Sequence, residues 1–177
     1  MRLTPYHAQY YAYALTQTKT GDNLSRIGNS LVNAKIDLNP HQIDAALFAF
    51  KSPLRKGALL ADEVGLGKTI EAGIVLTQFW AEQKRKILII APSNLRKQWS
   101  EELLDKFFLH SKIIDRKAFD RSIKEGKQNP FDQDQPVICS YHFAKNNERF
   151  ISSVQWDLVV MDEAHKVRNV YKSGNVI

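Results

Sequence analysis

Asp62-Glu63-Val64-Gly65-Leu66-Gly67-Lys68-Thr69 is the stretch on which the fold turns. It follows a short apolar run, Ala58-Leu59-Leu60-Ala61, and opens into Ile70-Glu71-Ala72-Gly73-Ile74-Val75-Leu76, whose apolar positions recur at helical spacing. The order predicts a strand at 58–61, a phosphate-binding loop and a helix over 68–83. Gly65 and Gly67 let backbone N–H groups close on a polyphosphate without a side chain in the way. Lys68 has the reach and charge for the β and γ phosphates, and the Thr69 hydroxyl suits Mg²⁺ while the helix N-terminus faces the anion. Asp62 stands where the general pattern G-x-x-x-x-G-K-[ST] has its first glycine. Alone, Gly-x-Gly-Lys-Thr also fits a glycine turn before a helix, so a second segment has to decide.

That segment is Asp157-Leu158-Val159-Val160-Met161, which reads as a buried strand ending in Asp162 and Glu163. A carboxylate pair at the C-terminal end of a strand lies where open α/β sheets bind ligands. Asp162 is the candidate for Mg²⁺, directly or through water, and Glu163 for orienting and deprotonating the water that attacks a γ-phosphate. The two segments together predict a nucleoside triphosphatase.

These residues also carry a family resemblance. Asp162-Glu163-Ala164-His165 resembles motif II of the DEAD/DEAH-box superfamily 2 helicases and translocases. Residues 62–73 are similar to motif I of Swi/Snf-related ATPases, in which Asp commonly replaces the first glycine. Leu38-Asn39-Pro40-His41-Gln42 resembles the adenine-reading Q motif, and implies that Gln42 hydrogen-bonds the base. Ile89-Ile90-Ala91-Pro92-Ser93-Asn94-Leu95-Arg96-Lys97-Gln98-Trp99 looks like motif Ia. Val137-Ile138-Cys139-Ser140-Tyr141 looks like the Ser/Thr-Tyr segment that touches the nucleic-acid backbone in such enzymes. By the same resemblance His165 sits between the ATP and nucleic-acid sites and helps couple them, whereas the bland reading makes it a capping residue.

With 177 residues, 44% hydrophobic and 25% charged, the chain is long enough for one globular domain with its own core. A net charge of +6 favours a polyanionic partner, without choosing between nucleic acid and an acidic membrane surface. Cys139 lies in an apolar run and reads as a core thiol, and a single cysteine makes no disulfide framework. The five histidines show no metal-ligand spacing with each other or with Cys139. No stretch approaches a membrane span, and Met1-Arg2-Leu3-Thr4-Pro5-Tyr6 lacks the apolar centre of a secretion signal. The expectation is a cytoplasmic protein with no membrane partner.

Residues 1–37 read as an N-terminal helical extension: Tyr10, Tyr11 and Tyr13 lie on one helix, and a second helix follows over 24–34. The tyrosines fit base stacking or, more simply, packing of that helix on the domain. From Gln42 onward, helix through 45–50, strand 86–91, helix 94–108, short strand 112–114, helix 116–124, polar loop 125–135 and strand 137–140 alternate. Such alternation predicts an α/β fold with a parallel sheet. The resemblance specifies it as the three-layer, RecA-like P-loop domain with helices on both faces, here incomplete and spanning 38–177.

Lys84-Arg85-Lys86, Arg96-Lys97 and Lys166 with Arg168 are basic, which by itself describes a solvated face as well as a ligand site. Placement favours nucleic acid for Ser93, Asn94 and Arg96, just beyond a strand's C-terminal end. Trp99 reads as a core anchor for its helix.

The related enzymes continue through motif III into a second RecA-like lobe that supplies an arginine to the ATP site, and nothing in the 177 residues matches these parts. Such an arginine contributes roughly 10³ to 10⁵ in rate. The expectation is therefore that this chain alone binds Mg·ATP weakly and turns it over negligibly, which its steady-state ATPase rate would test. In the family the motif III strand lies between the P-loop and motif II strands, so a central gap is expected in the sheet, with unusual pairing, association or a longer parent chain as the remedies. The function so read is the ATP-binding lobe of a DNA-dependent ATPase, a helicase or duplex translocase acting on double-stranded DNA and completed by a second lobe. The alternative is a non-catalytic nucleotide switch, against which Lys68, Thr69, Asp162 and Glu163 all argue. A GTP switch would need an Asn-Lys-x-Asp segment after the loop, and none is present.

Overall fold

Among the described residues, four parallel strands organise the part of the chain that follows Glu82. The computed structural model describes residues 39–51, 57–60 and 67–167, and the chain divides into two compact units, Met1–Glu82 and Gln83–Ile177. In the first unit, helices α1 (Pro40–Lys51) and α2 (Lys68–Ala81) pack on each other, and the rings of Phe50 and Phe79 stack 6.4 Å apart. Pro40 opens α1, where its fixed φ suits the helix and its missing N–H has no partner to lose. Ile70, Ile74 and Leu76 of α2 are buried.

The second unit contains β1 (Ile87–Ala91), α3 (Arg96–Phe107), β2 (Lys112–Ile113), α4 (Arg116–Lys124), β3 (Val137–Ser140), helices α5 (Tyr141–Asn146) and α6 (Glu148–Ser152), and β4 (Leu158–Met161). A 3₁₀ turn, Ala164–Val167, follows. The sheet order is β2-β3-β1-β4, and every neighbouring pair is parallel. Parallel neighbours need a crossover between them, which is why helices alternate with the strands. In register, Ile89 faces Ile138 on one side and Val160 on the other, so the ends of β1, β3 and β4 lie together.

Successive side chains of a strand point to opposite faces. Leu88 and Ile90 of β1 and Val137 and Cys139 of β3 form one core cluster with Ile114, Phe131 and Val154, against which Phe119, Phe143, Phe150 and Trp156 pack. Helix α3 packs on β2 and β3 and adds nothing to that cluster, and its buried residues are Trp99, Leu103 and Phe107. Cys139 is fully buried, and that burial pushes its thiol up to about 12, so it is the inert core thiol expected.

The α/β class and the parallel sheet stand as expected, and α4 and β3 have the predicted limits. Other readings change. Ala58, Leu59 and Leu60 form no strand, and Leu59 is 69% exposed: so short a run keeps strand geometry only where a ladder partner fixes it. The run ending in Met161 is a strand but not a buried one, because Val159 and Met161 are 45% and 44% exposed on an edge of the sheet. The 94–108 periodicity puts Leu95, Trp99, Leu103 and Leu104 on one side, but Leu104 belongs to the exposed side of α3, and Phe107 takes the core position one turn on from Leu103. The polar loop at 125–135 carries the fully buried Phe131, held between Phe119 and Phe143. Lys86 Nζ ties the same loop down through Asp132 (2.6 Å) and Asp134 (2.9 Å). Helices α5 and α6 have no counterpart in the sequence reading. The predicted helices of the N-terminal extension, Ala61 at the end of the predicted strand, and Arg168 lie outside the described residues. No described helix is long and apolar enough to cross a membrane.

Candidate nucleotide and nucleic-acid site

In the first unit the site is built at the start of α2. Gly67 caps the helix at φ 90°, ψ 37°, a left-handed conformation that side-chain-bearing residues adopt only at a cost. Its carbonyl accepts from the N–H groups of Ile70 (2.7 Å) and Glu71 (3.1 Å), so Lys68 and Thr69 occupy the first helical positions. The four leading N–H groups of a helix have no acceptor within it, and they carry the positive end of its dipole. Gln42, buried on α1, brings its amide against this turn: a Cβ built on Gly67 would lie 2.5 Å from Gln42 Nε2. Gln42 Oε1 in turn accepts from the Asn39 N–H at 3.3 Å. The structure thus joins Gln42, Gly67, Lys68 and Thr69, four of the residues singled out from sequence. Asp62, Glu63, Val64, Gly65 and Leu66 lie outside the described residues.

In the second unit three predicted segments meet at one end of the sheet, because β1, β3 and β4 end side by side. Ser93 and Asn94 follow β1 and are exposed, and Arg96 Nε donates to the Ser93 carbonyl at 3.2 Å. Ser140, the last residue of β3, is buried, and its Oγ caps α5 by accepting from the Phe143 N–H at 3.3 Å. The Tyr141 hydroxyl donates to the main-chain carbonyl of Asp162 at 2.6 Å. Both hydroxyls of the Ser-Tyr segment therefore have partners inside the unit. Burial first, then the carboxylates of Asp162 and Glu163, push the Tyr141 phenol up to about 12, so at neutral pH it remains a donor.

In this unit Asp162 is held by three elements. Its N–H donates to the Ile90 carbonyl at 2.9 Å, its carbonyl accepts from Tyr141, and Trp99 Nε1 donates to its Oδ2 at 2.8 Å. Oδ1 accepts no hydrogen bond from any described residue. A hard carboxylate oxygen left over in this way, on a half-buried residue, suits Mg²⁺ or one of its waters. Glu163 comes next at φ 55°, in the left-handed region, which costs a non-glycine residue of order 1 kcal/mol and turns the chain sharply out of β4. Its Oε2 pairs with His165 Nδ1 at 3.0 Å, and both side chains are exposed. The sequence reading had Trp99 as a packing residue only. It is packed, at 4% exposure, but nothing local announces its bond to a carboxylate 63 residues away.

The family model of the SNF2-related domain matches residues 13–174. Over 141 residues the chain is 37% identical to RNA polymerase-associated protein RapA of Sodalis glossinidius (strain morsitans) and 38% identical to that of Yersinia pestis (strain Pestoides F). Each alignment covers 77% of this chain and 14% of the relative, so the chain spans about a seventh of the length of the curated relatives it matches. Among solved structures it is similar to the Sulfolobus solfataricus SWI2/SNF2 ATPase core in complex with dsDNA, with a TM-score of 0.66 and 29% identity over 79% of this chain and 29% of that one. Since the family model matches residues 13–174, nearly the whole of this chain, the chain belongs to the SNF2-related domain family.

Proposed function

We propose that this chain is the ATP-binding lobe of a DNA-dependent ATPase, a helicase or duplex translocase, that splits ATP into ADP and phosphate when a second RecA-like lobe completes it. The observation that carries the proposal is Gly67, left-handed at the head of α2 with Gln42 against it and Lys68 and Thr69 next in the helix, an arrangement suited to a polyphosphate. In this reading Gln42 reads the adenine, residues 62–69 wrap the phosphates, and Lys68 neutralises charge at the β and γ positions. Thr69 and Asp162 hold Mg²⁺, which supplies electrostatic stabilisation of the phosphate oxygens. Glu163 accepts the proton of the attacking water, and its pairing with His165 offers a route by which that base responds to its surroundings.

Duplex DNA is proposed as the partner because the solved relative is an ATPase core bound to dsDNA and this chain carries a net charge of +6. The exposed Ser93 and Asn94, with Arg96 beside them, are the proposed phosphate contacts. Ser140 and Tyr141 contribute to that surface by shaping it, since their hydroxyls are engaged internally. Residues 1–37 are proposed as a helical extension to a lobe spanning 38–177.

A ligand that binds only the folded state raises stability by RT ln(1 + [L]/Kd). The test is thermal unfolding with and without millimolar Mg·ATP: a rise in the wild type that Lys68→Ala abolishes is expected. An equal rise in Lys68→Ala, or none in either, would overturn the proposal.

A further inference from the structure

We propose that Trp99 is a positioning residue for Asp162: its indole N–H holds Oδ2 so that Oδ1 is the oxygen presented to the metal. The inference rests on the reading of Asp162 as a metal-holding carboxylate and extends it to a residue outside both nucleotide motifs. Three groups of Asp162 are bound, each by a different element. Its N–H goes to Ile90 of β1, its carbonyl takes the Tyr141 hydroxyl of α5, and its Oδ2 takes Trp99 of α3. The first two bonds fix the backbone where β4 ends. Only the third fixes the side chain, because an Asp carboxylate otherwise rotates about two torsions.

Trp99 is suited to that task in two respects. At 4% exposure its ring is locked in the core, so the donor is preset and little freedom is lost when the bond forms. Indole Nε1–H only donates, so it binds a carboxylate oxygen without competing for the metal. Among the large apolar rings only tryptophan brings an N–H donor, and here that donor makes the bond at 2.8 Å. Partners that orient a ligating side chain in this way typically contribute about 10- to 100-fold in metal affinity.

The experiment is to titrate Mg²⁺ against binding of a fluorescent ATP analogue to the whole chain, for the wild type, Trp99→Phe, Asp162→Asn and the double variant, with a parallel series in EDTA. Trp99→Phe is expected to raise the Mg²⁺ needed for half-maximal binding about tenfold while leaving metal-free binding unchanged. In the Asp162→Asn background the same change is expected to add nothing, since its target is gone. If Trp99→Phe weakens binding equally with and without Mg²⁺, or shifts the Mg²⁺ requirement as much when combined with Asp162→Asn, Trp99 only packs and the proposal fails. If Asp162→Asn leaves the Mg²⁺ requirement at its wild-type value, the metal-holding reading itself fails and takes the inference with it. Should Trp99→Phe not fold, 3-benzothienylalanine at position 99 keeps both rings and replaces N–H with sulfur, and the same outcomes apply.

Discussion

β1 and β4 are neighbours in one sheet and both wholly apolar, Ile87-Leu88-Ile89-Ile90-Ala91 against Leu158-Val159-Val160-Met161, yet they live in different surroundings. All five residues of β1 are buried, whereas β4 alternates between half-buried and exposed. Among the described residues β1 has a strand on each side and β4 has β1 alone. An unbroken apolar run therefore states what a strand can tolerate, and only its place in the order states what it meets. The exposed Val159 and Met161 leave apolar surface of an edge strand uncovered among the described residues.

The largest expected effect lies in the centre. Ile89→Ala removes a fully buried side chain between Ile138 and Val160, and should cost about 2–5 kcal/mol in urea unfolding. That is a large share of the total stability of an ordinary domain, so measurement near 10 °C with a stabilising osmolyte keeps a folded baseline. A cost under about 1 kcal/mol would mean that β1 is not the centre of the core.

Ser140→Ala, at the end of β3 beside Ala91, comes next at about 1 kcal/mol, from loss of the cap on α5. Helix α5 carries Tyr141, so the indicator beyond stability is the phenol itself. Its ionisation, followed by NMR of ring-labelled tyrosine with Tyr141→Phe to assign the signal, should move down from about 12 toward the ordinary tyrosine value if the cap holds Tyr141 in place. An unchanged titration would show that the Asp162 contact survives without the cap.

Val159→Thr is the smallest, within about 0.5 kcal/mol of the wild type, because the added hydroxyl remains in water. A loss comparable to that of Ile89→Ala would break the comparison outright, by showing that the free edge of β4 is covered in solution.

Much of the fold was legible because its signals are local. Gly67-Lys68-Thr69 announces the start of α2 through residue chemistry, and α4 keeps its predicted limits, to which the structure adds a cap, the Asp115 side chain accepting from the Ala118 N–H at 2.8 Å. β1 and β3 stood out as apolar runs between polar segments. Residues 141–156 were not legible: α5 and α6 are each under two turns long, too short for a helical period to show, and tertiary contacts of Phe143 and Phe150 hold them. Phe131 was hidden in a loop because its partners, Phe119 and Phe143, come from elements on either side of it.

The site divides along the same line. The residue types of the phosphate loop and of Asp162-Glu163 follow from chemistry that acts over a few bonds: glycine for close approach, lysine and threonine for phosphate and metal, paired acids at a strand end. Those parts could be named from the chain alone. The partners of Asp162 could not, since Trp99, Tyr141 and Ile90 reach it only after β1, β3 and β4 have taken their order and register. A hydrogen bond needs its two atoms within about 3 Å and aligned. Spacing along a chain cannot set that geometry across 63 residues, and the sheet that brings the strand ends together does.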